Sequence, residues 1–105
     1  MTEKNDIKKM IRNSVNLTAP DATVILYGSR ARGDFNESSD VDILILLNKD
    51  DITWEDEKKI KYPLYDIEFE TGKIISPLIL SKSAWESKHK ITPFYQNVVR
   101  EGIIL

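Results

Sequence analysis

Apolar residues along the chain follow two rhythms. Over residues 2–16, Ile7, Met10, Ile11 and Val15 recur at helical spacing and draw one apolar stripe, which predicts an amphipathic helix. Thr2 or Asn5 can cap it, and Lys4, Lys8 and Lys9 fall on its solvated side. Past the Pro20-Asp21 turn the rhythm shortens. Val24 to Leu26 and Ile43 to Leu47 are short aliphatic runs bounded by turn residues, which predicts strands over about 23–27 and 41–47. In the second run Leu44 and Leu46 share one face and Ile43 and Ile45 the other. A strand apolar on both faces lies inside a sheet covered by helices.

Residues 53–71 fit a helix better than a strand. Asp51 or Thr53 can cap it, acids come early, Gly72 stops it, and Ile60, Leu64 and Ile67 keep helical spacing. Pro63 must then kink or restart that helix. In the rival reading, Tyr65, Ile67 and Phe69 form one face of a strand. Residues 73–80 predict the third strand, with Pro77 marking an edge or a bulge. Residues 83–87 start a short helix anchored by Trp85. Thr92-Pro93 opens a last helix that ends at Glu101-Gly102. Phe94, Val98 and the Ile103-Ile104-Leu105 tail are expected to close the core. With a helical turn over 29–33, the order is α-β-α-β-α-β-α. The fold class is α/β (α+β): one small mixed sheet flanked by helices, in a single domain.

Composition narrows the chemistry. With 105 residues the chain suits one domain that needs no staples. It has no cysteine, which excludes disulfides, thiolate metal sites and a cysteine nucleophile. Its one histidine, His89, stands in the charged segment WESKHK and reads as a surface residue. No apolar run is long enough for a membrane span, and the charged N-terminus lacks a signal core, so a cytoplasmic protein is expected. A net charge of −2 argues against a general nucleic-acid binder.

The chemistry gathers in residues 24–47, VILYGSRARGDFNESSDVDILILL. Gly28 permits a sharp turn and close approach of a ligand to the backbone. Ser29 offers a hydroxyl at a helix start, where N–H groups favour anions. Arg30 and Arg32 add forked cationic donors suited to phosphate. Asp40 and Asp42 alternate along the second strand and project together. Adjacent carboxylates repel unless a cation neutralises them, and Mg²⁺ takes such ligands together with water and phosphate oxygens. Asp34 and Glu37, in the loop between, read as solvated carboxylates.

Gly28-Ser29, ten residues, then Asp40-x-Asp42 resembles the signature of the DNA polymerase β-like nucleotidyltransferase superfamily. The wider wording GSRARG…SDVDILI is similar to its minimal nucleotidyltransferase (MNT) branch. The motif covers about a quarter of the chain, and the order of elements extends the resemblance over nearly all of it. The resemblance implies a polymerase β-like fold and transfer of a nucleoside monophosphate, AMP above all, from a triphosphate to a hydroxyl of a protein or small molecule. It implies Mg²⁺ (or Mn²⁺) on Asp40 and Asp42, with ATP or another triphosphate on Gly28, Ser29, Arg30 and Arg32. It also implies a HEPN-domain or other protein partner, and oligomers are compatible with it. Active members usually carry a third carboxylate on a later strand. Here Ser76 stands where that acid is expected, and Asp66, Glu68 or Glu70 could replace it only if YDIEFE is a strand or if the end of the helix faces the site. The alternative the resemblance allows is a catalytically weak partner-binding module of antitoxin type.

Overall fold

The structure, a computed structural model, describes residues 3–33 and 39–105. The expected cap Thr2 and the loop acids Asp34 and Glu37 lie outside the described residues. Helix α1 (Glu3–Thr18) begins ahead of Asn5, so Asn5 is not its cap. Strand β1 (Thr23–Tyr27) runs into the short helix α2 (Ser29–Arg32), and β2 (Val41–Leu47) leads to the long helix α3 (Trp54–Thr71). Then come β3 (Ile75–Ser81), α4 (Lys82–Ser87), a 3-10 turn (His89–Ile91), α5 (Pro93–Glu101) and β4 (Ile103–Ile104).

The four strands order as β3-β2-β1-β4, with β2 parallel to β3 and antiparallel to β1. Side-chain alternation along β2 divides the core in two. Val41, Ile43, Ile45 and Leu47 pack with Ile7, Ile11 and Val15 of α1 and with Ile60, Leu64 and Ile67 of α3. Leu44 and Leu46 face the other way, onto Trp85 of α4 and Val98 of α5. Both faces of β2 are therefore dry below Asp42, as its unbroken apolar run requires.

Helix α3 decides between the two readings of its segment. Thr53 and Asp56 form a capping box: the Asp56 N–H donates to the Thr53 hydroxyl at 3.2 Å and the Thr53 N–H donates to Asp56 Oδ2 at 3.0 Å. Lys49 also donates to Asp56 Oδ2, at 2.7 Å, and chiefly through that bond holds the Asp56 carboxyl down at about 2. At the other end Gly72, with φ 73°, closes the helix through an N–H bond to Glu68 O. Pro63 sits inside the helix without ending it, because burial of Ile60, Leu64 and Ile67 holds both halves on the sheet. The strand reading needs Tyr65, Ile67 and Phe69 on one face; Ile67 is buried at 7% exposure and Phe69 stands at 95%.

Pro77 lies on β3, an edge strand, as its missing donor requires. His89 is half-buried, its ring centroid 6.1 Å from that of Trp85, rather than lying in an open linker. The tail does not close the core as expected. Ile103 and Ile104 pair with Leu26 and Ile25 as β4, and both side chains are exposed. Backbone bonding along the free edge of β1, including Leu105 N–H to Val24 O at 2.9 Å, decides their place, and only Leu105 packs against the core.

Candidate active site

The turn at Gly28 and the head of β2 meet because β1 and β2 are antiparallel neighbours, with Tyr27 directly opposite Asp42. Gly28 has φ 78° and ψ −157°, a conformation essentially closed to residues with a Cβ. It also lies against Asp42: a Cβ built there would stand 2.6 Å from Asp42 Oδ2. The backbone of the Gly-Ser turn and the second carboxylate of the Asp-x-Asp pair therefore share one spot. The chain leaves Gly28 directly into α2, where the N–H groups of Ala31 and Arg32 both donate to Gly28 O at 3.1 Å.

Asp40 and Asp42 are close enough to act on each other. Burial raises the Asp42 carboxyl above its ordinary value of 3.8, and the charge of Asp40 raises it further. Among the described residues no cation pairs with either carboxylate. Burial raises the Tyr27 hydroxyl as well, with Asp42 adding to it, and the Tyr27 ring packs edge-on against Phe94 at 5.2 Å. The site is thus an electronegative rim above a dry aromatic floor.

The two arginines of the motif part company. Arg30 is 9% exposed and donates through Nε and Nη2 to the Ser39 carbonyl, at 3.2 and 3.0 Å. It ties the end of the loop, one residue before Asp40, to α2. Arg32 is half-exposed and pairs with Glu101 at the end of α5, at 3.6 Å.

Nucleotidyltransferase domain is the description of the family that matches residues 8–92 of the chain. The chain belongs to that family. Two proteins of Methanocaldococcus jannaschii are similar to this nucleotidyltransferase. "Putative protein adenylyltransferase MJ0141" is 37% identical over 81 residues, covering 76% of this chain and 74% of the relative. "Putative protein adenylyltransferase MJ0604" is 34% identical over 85 residues, covering 78% and 75%. A solved structure, "Crystal structure of the toxin-antitoxin with AMP-PNP", shares the fold at TM-score 0.61 and 19% identity, over 98% of this chain and 72% of that one.

Within this nucleotidyltransferase the register also identifies the neighbour of Asp42 on β3. That neighbour is Ser76, directly alongside in the parallel pair and on the same face. Asp66, Glu68 and Glu70 belong to α3, which covers the opposite face of the sheet. Glu68 is further committed: its Oε2 accepts the Ile75 N–H at 2.6 Å and so anchors the start of β3. None of these three acids stands beside Asp42. Among the described residues no three His, Cys, Asp or Glu side chains form a metal-binding group, and no helix is long and apolar enough to cross a membrane.

The donor set still fits a magnesium ion. Mg²⁺ is usually held by one or two carboxylates, with waters and substrate phosphates completing its octahedron. Asp40 and Asp42 supply two carboxylates whose mutual repulsion a dication relieves. Sequence reasoning missed Tyr27 as part of this rim; the signal available was its position immediately before Gly28, on the last residue of β1.

Proposed function

We propose that this nucleotidyltransferase moves AMP from ATP to a hydroxyl of a protein, with Mg²⁺ (or Mn²⁺) on Asp40 and Asp42. The observation that carries the reading is the closeness of Gly28 to Asp42: a Cβ on Gly28 would stand 2.6 Å from Asp42 Oδ2, which leaves no room for a side chain between the turn and that carboxylate. The names of the two methanogen relatives support a protein acceptor and adenylyl transfer. Magnesium, when bound, neutralises the triphosphate and the charge that develops at the α-phosphorus.

The chain's own residues have divided tasks. Ser29 and the backbone beyond Gly28 hold the β- and γ-phosphates. Arg32, the exposed one of the two arginines, steadies the departing pyrophosphate by exchanging Glu101 for it. Arg30 works through the loop: its two bonds to the Ser39 carbonyl fix Asp40. Alignment and electrostatics do most of the work in such a transfer. Arg30→Met should therefore lower nucleotide affinity in the presence of Mg²⁺ by roughly 10- to 100-fold, as loss of a supporting group does around a metal site. Affinity without Mg²⁺ should hardly change, and Arg30→Lys should recover part of the loss. Calorimetric titration of an ATP analogue with and without Mg²⁺ checks this; an equal loss in both conditions would make Arg30 a phosphate ligand instead.

One observation favours a second reading. Ser76, with no ionisable group, flanks Asp42 where a third carboxylate would take the acceptor proton. On that reading the same cradle serves a partner-binding module of antitoxin type, paired with a HEPN-type protein, that holds nucleotide and turns over slowly. General-base assistance is worth about 10² to 10⁴ in rate. Ser76→Asp should raise transfer from α-labelled ATP or tighten Mg²⁺, while Asp66→Asn, Glu68→Gln and Glu70→Gln leave both unchanged. Loss of transfer in a folded Glu68→Gln protein would contradict the assignment.

A further inference from the structure

The sheet has two edges, and they are finished differently. Val41 N–H donates to Ile74 O, so Ile75 and Pro77 of β3 turn their backbone groups outward. The Ile75 N–H is taken by Glu68 Oε2 at 2.6 Å, and Pro77 has none to offer. On β4, Leu105 N–H donates to Val24 O at 2.9 Å, and Ile103 pairs with Leu26. Ile104, between these two, turns its N–H and C=O away from β1. Among the described residues nothing takes that pair of groups, and the Ile104 side chain is 72% exposed. The edge at β3 is closed where it begins; the edge at β4 stays open to a further strand.

The ground beside the open edge is basic. A cavity of about 300 Å³ is lined by Lys8, Lys9 and Arg12 of α1 together with Ile104 and Leu105. Lys8 and Arg12 stand one helical turn apart, with Lys9 beside them. No acidic side chain lines this cavity, and among the described residues no carboxylate pairs with any of the three cations. Of the acids toward the two ends of the edge, Glu101 pairs with Arg32, and Asp21 lines a separate cavity past the start of β1. In a chain of net charge −2 this is a local excess of positive charge. A chain seated here is therefore extended, to exchange bonds with Ile104, and acidic, to answer the cations. A polynucleotide would use the cations and leave the backbone pair unmet.

We propose that the open edge of β4 and the basic cavity beside it dock an extended acidic segment of the acceptor protein. This rests on the transfer to a protein put forward above. Ile103 pairs with Leu26, two residues before Gly28, so the segment runs alongside the strand that ends in the site's turn. A fifth strand there lies about 14 Å from β2, at three spacings of roughly 4.8 Å. About four to five extended residues bridge that span and bring a hydroxyl to Asp42.

Fluorescence anisotropy of a labelled, alternating Glu-Val decapeptide on the full chain tests the docking. The peptide should bind the wild type, less tightly as salt is raised. Lys8→Glu with Arg12→Glu should weaken it by roughly tenfold or more, while Lys88→Glu, an exposed lysine outside the cavity, leaves it unchanged. Ile104→Pro removes the outward N–H and spares the bonds of Ile103 and Leu105 to β1. It should lower affinity severalfold with unchanged circular dichroism. Excess peptide should also inhibit fixation of α-label from ATP to extract protein without displacing an ATP analogue. Equal affinity in wild type and in Lys8→Glu with Arg12→Glu would overturn the proposal, and so would full affinity in Ile104→Pro. An oligo(dA) strand held where the peptide is not, or a bound peptide that leaves transfer untouched, would overturn it as well. The binding needs no turnover: peptide bound with no transfer to any protein keeps the docking and overturns the proposed function, and transfer without peptide binding does the reverse.

Discussion

Asp42→Asn should abolish nucleotidyl transfer while making the protein harder to melt at neutral pH. On the proposed function the loss is that of a metal-holding carboxylate, on the order of 10²- to 10³-fold in rate or more. The gain follows from the direction in which the carboxyl is shifted. Burial and Asp40 raise Asp42 above its ordinary 3.8, so ionisation is less favourable in the folded chain than in the unfolded one. The stability tied to the protonated form is present below the unfolded value and is lost as pH rises through the folded one. Asparagine escapes that loss. The melting temperatures of wild type and variant should thus differ at pH 7 and converge near pH 4. Added Mg²⁺ should raise the wild type alone. A variant that melts lower than wild type at pH 7 would mean that Asp42 holds the fold together and is not a carboxylate held against its preference for the sake of the site.

Gly28→Ala carries the second large effect. The substitution forces a Cβ into a positive-φ conformation and to within 2.6 Å of Asp42 Oδ2. The backbone strain costs roughly 1–3 kcal/mol, which for a domain of this size lowers the melting temperature by roughly 5–20 °C. The functional loss should be greater than the strain alone gives, because relief comes by swinging Asp42 away from the turn. Triphosphate binding should fall below detection in calorimetry on protein that circular dichroism shows to be folded. Retained binding with a normal melting curve would contradict a phosphate-cradling turn at Gly28.

The residues explain which parts of this were legible in the sequence. The strands were, because β2 is apolar on both faces and β1 is bounded by Pro20-Asp21 and Gly28. Helix α3 was legible through its Thr53 cap and Gly72 stop, despite Pro63, whose effect burial of Ile60 and Leu64 overrides. Strand β4 was not, since Ile103 and Ile104 read as core while their backbone bonds to β1 decide where they go. The outer side of α3 was not legible either: Trp54, Tyr62, Tyr65 and Phe69 stand exposed there, opposite the buried Ile60, Leu64 and Ile67, and they blur the helical period. Gly28, Ser29, Asp40 and Asp42, the residues proposed for the site, stand out by spacing because they lie at the end of β1 and the start of β2. The bond from Arg30 to Ser39 could not, because it spans nine residues of loop and depends on how the chain returns.

In the proposed function the chain breaks ATP between its α- and β-phosphates and keeps the nucleoside monophosphate for an acceptor. Parallel incubations with α-labelled and γ-labelled ATP, Mg²⁺ and a protein extract test it most directly. Label from the α-position should become covalently fixed to protein, label from the γ-position should leave as pyrophosphate, and Asp42→Asn should do neither. Label fixed only from the γ-position, or ATP bound yet never cleaved to pyrophosphate, would contradict it.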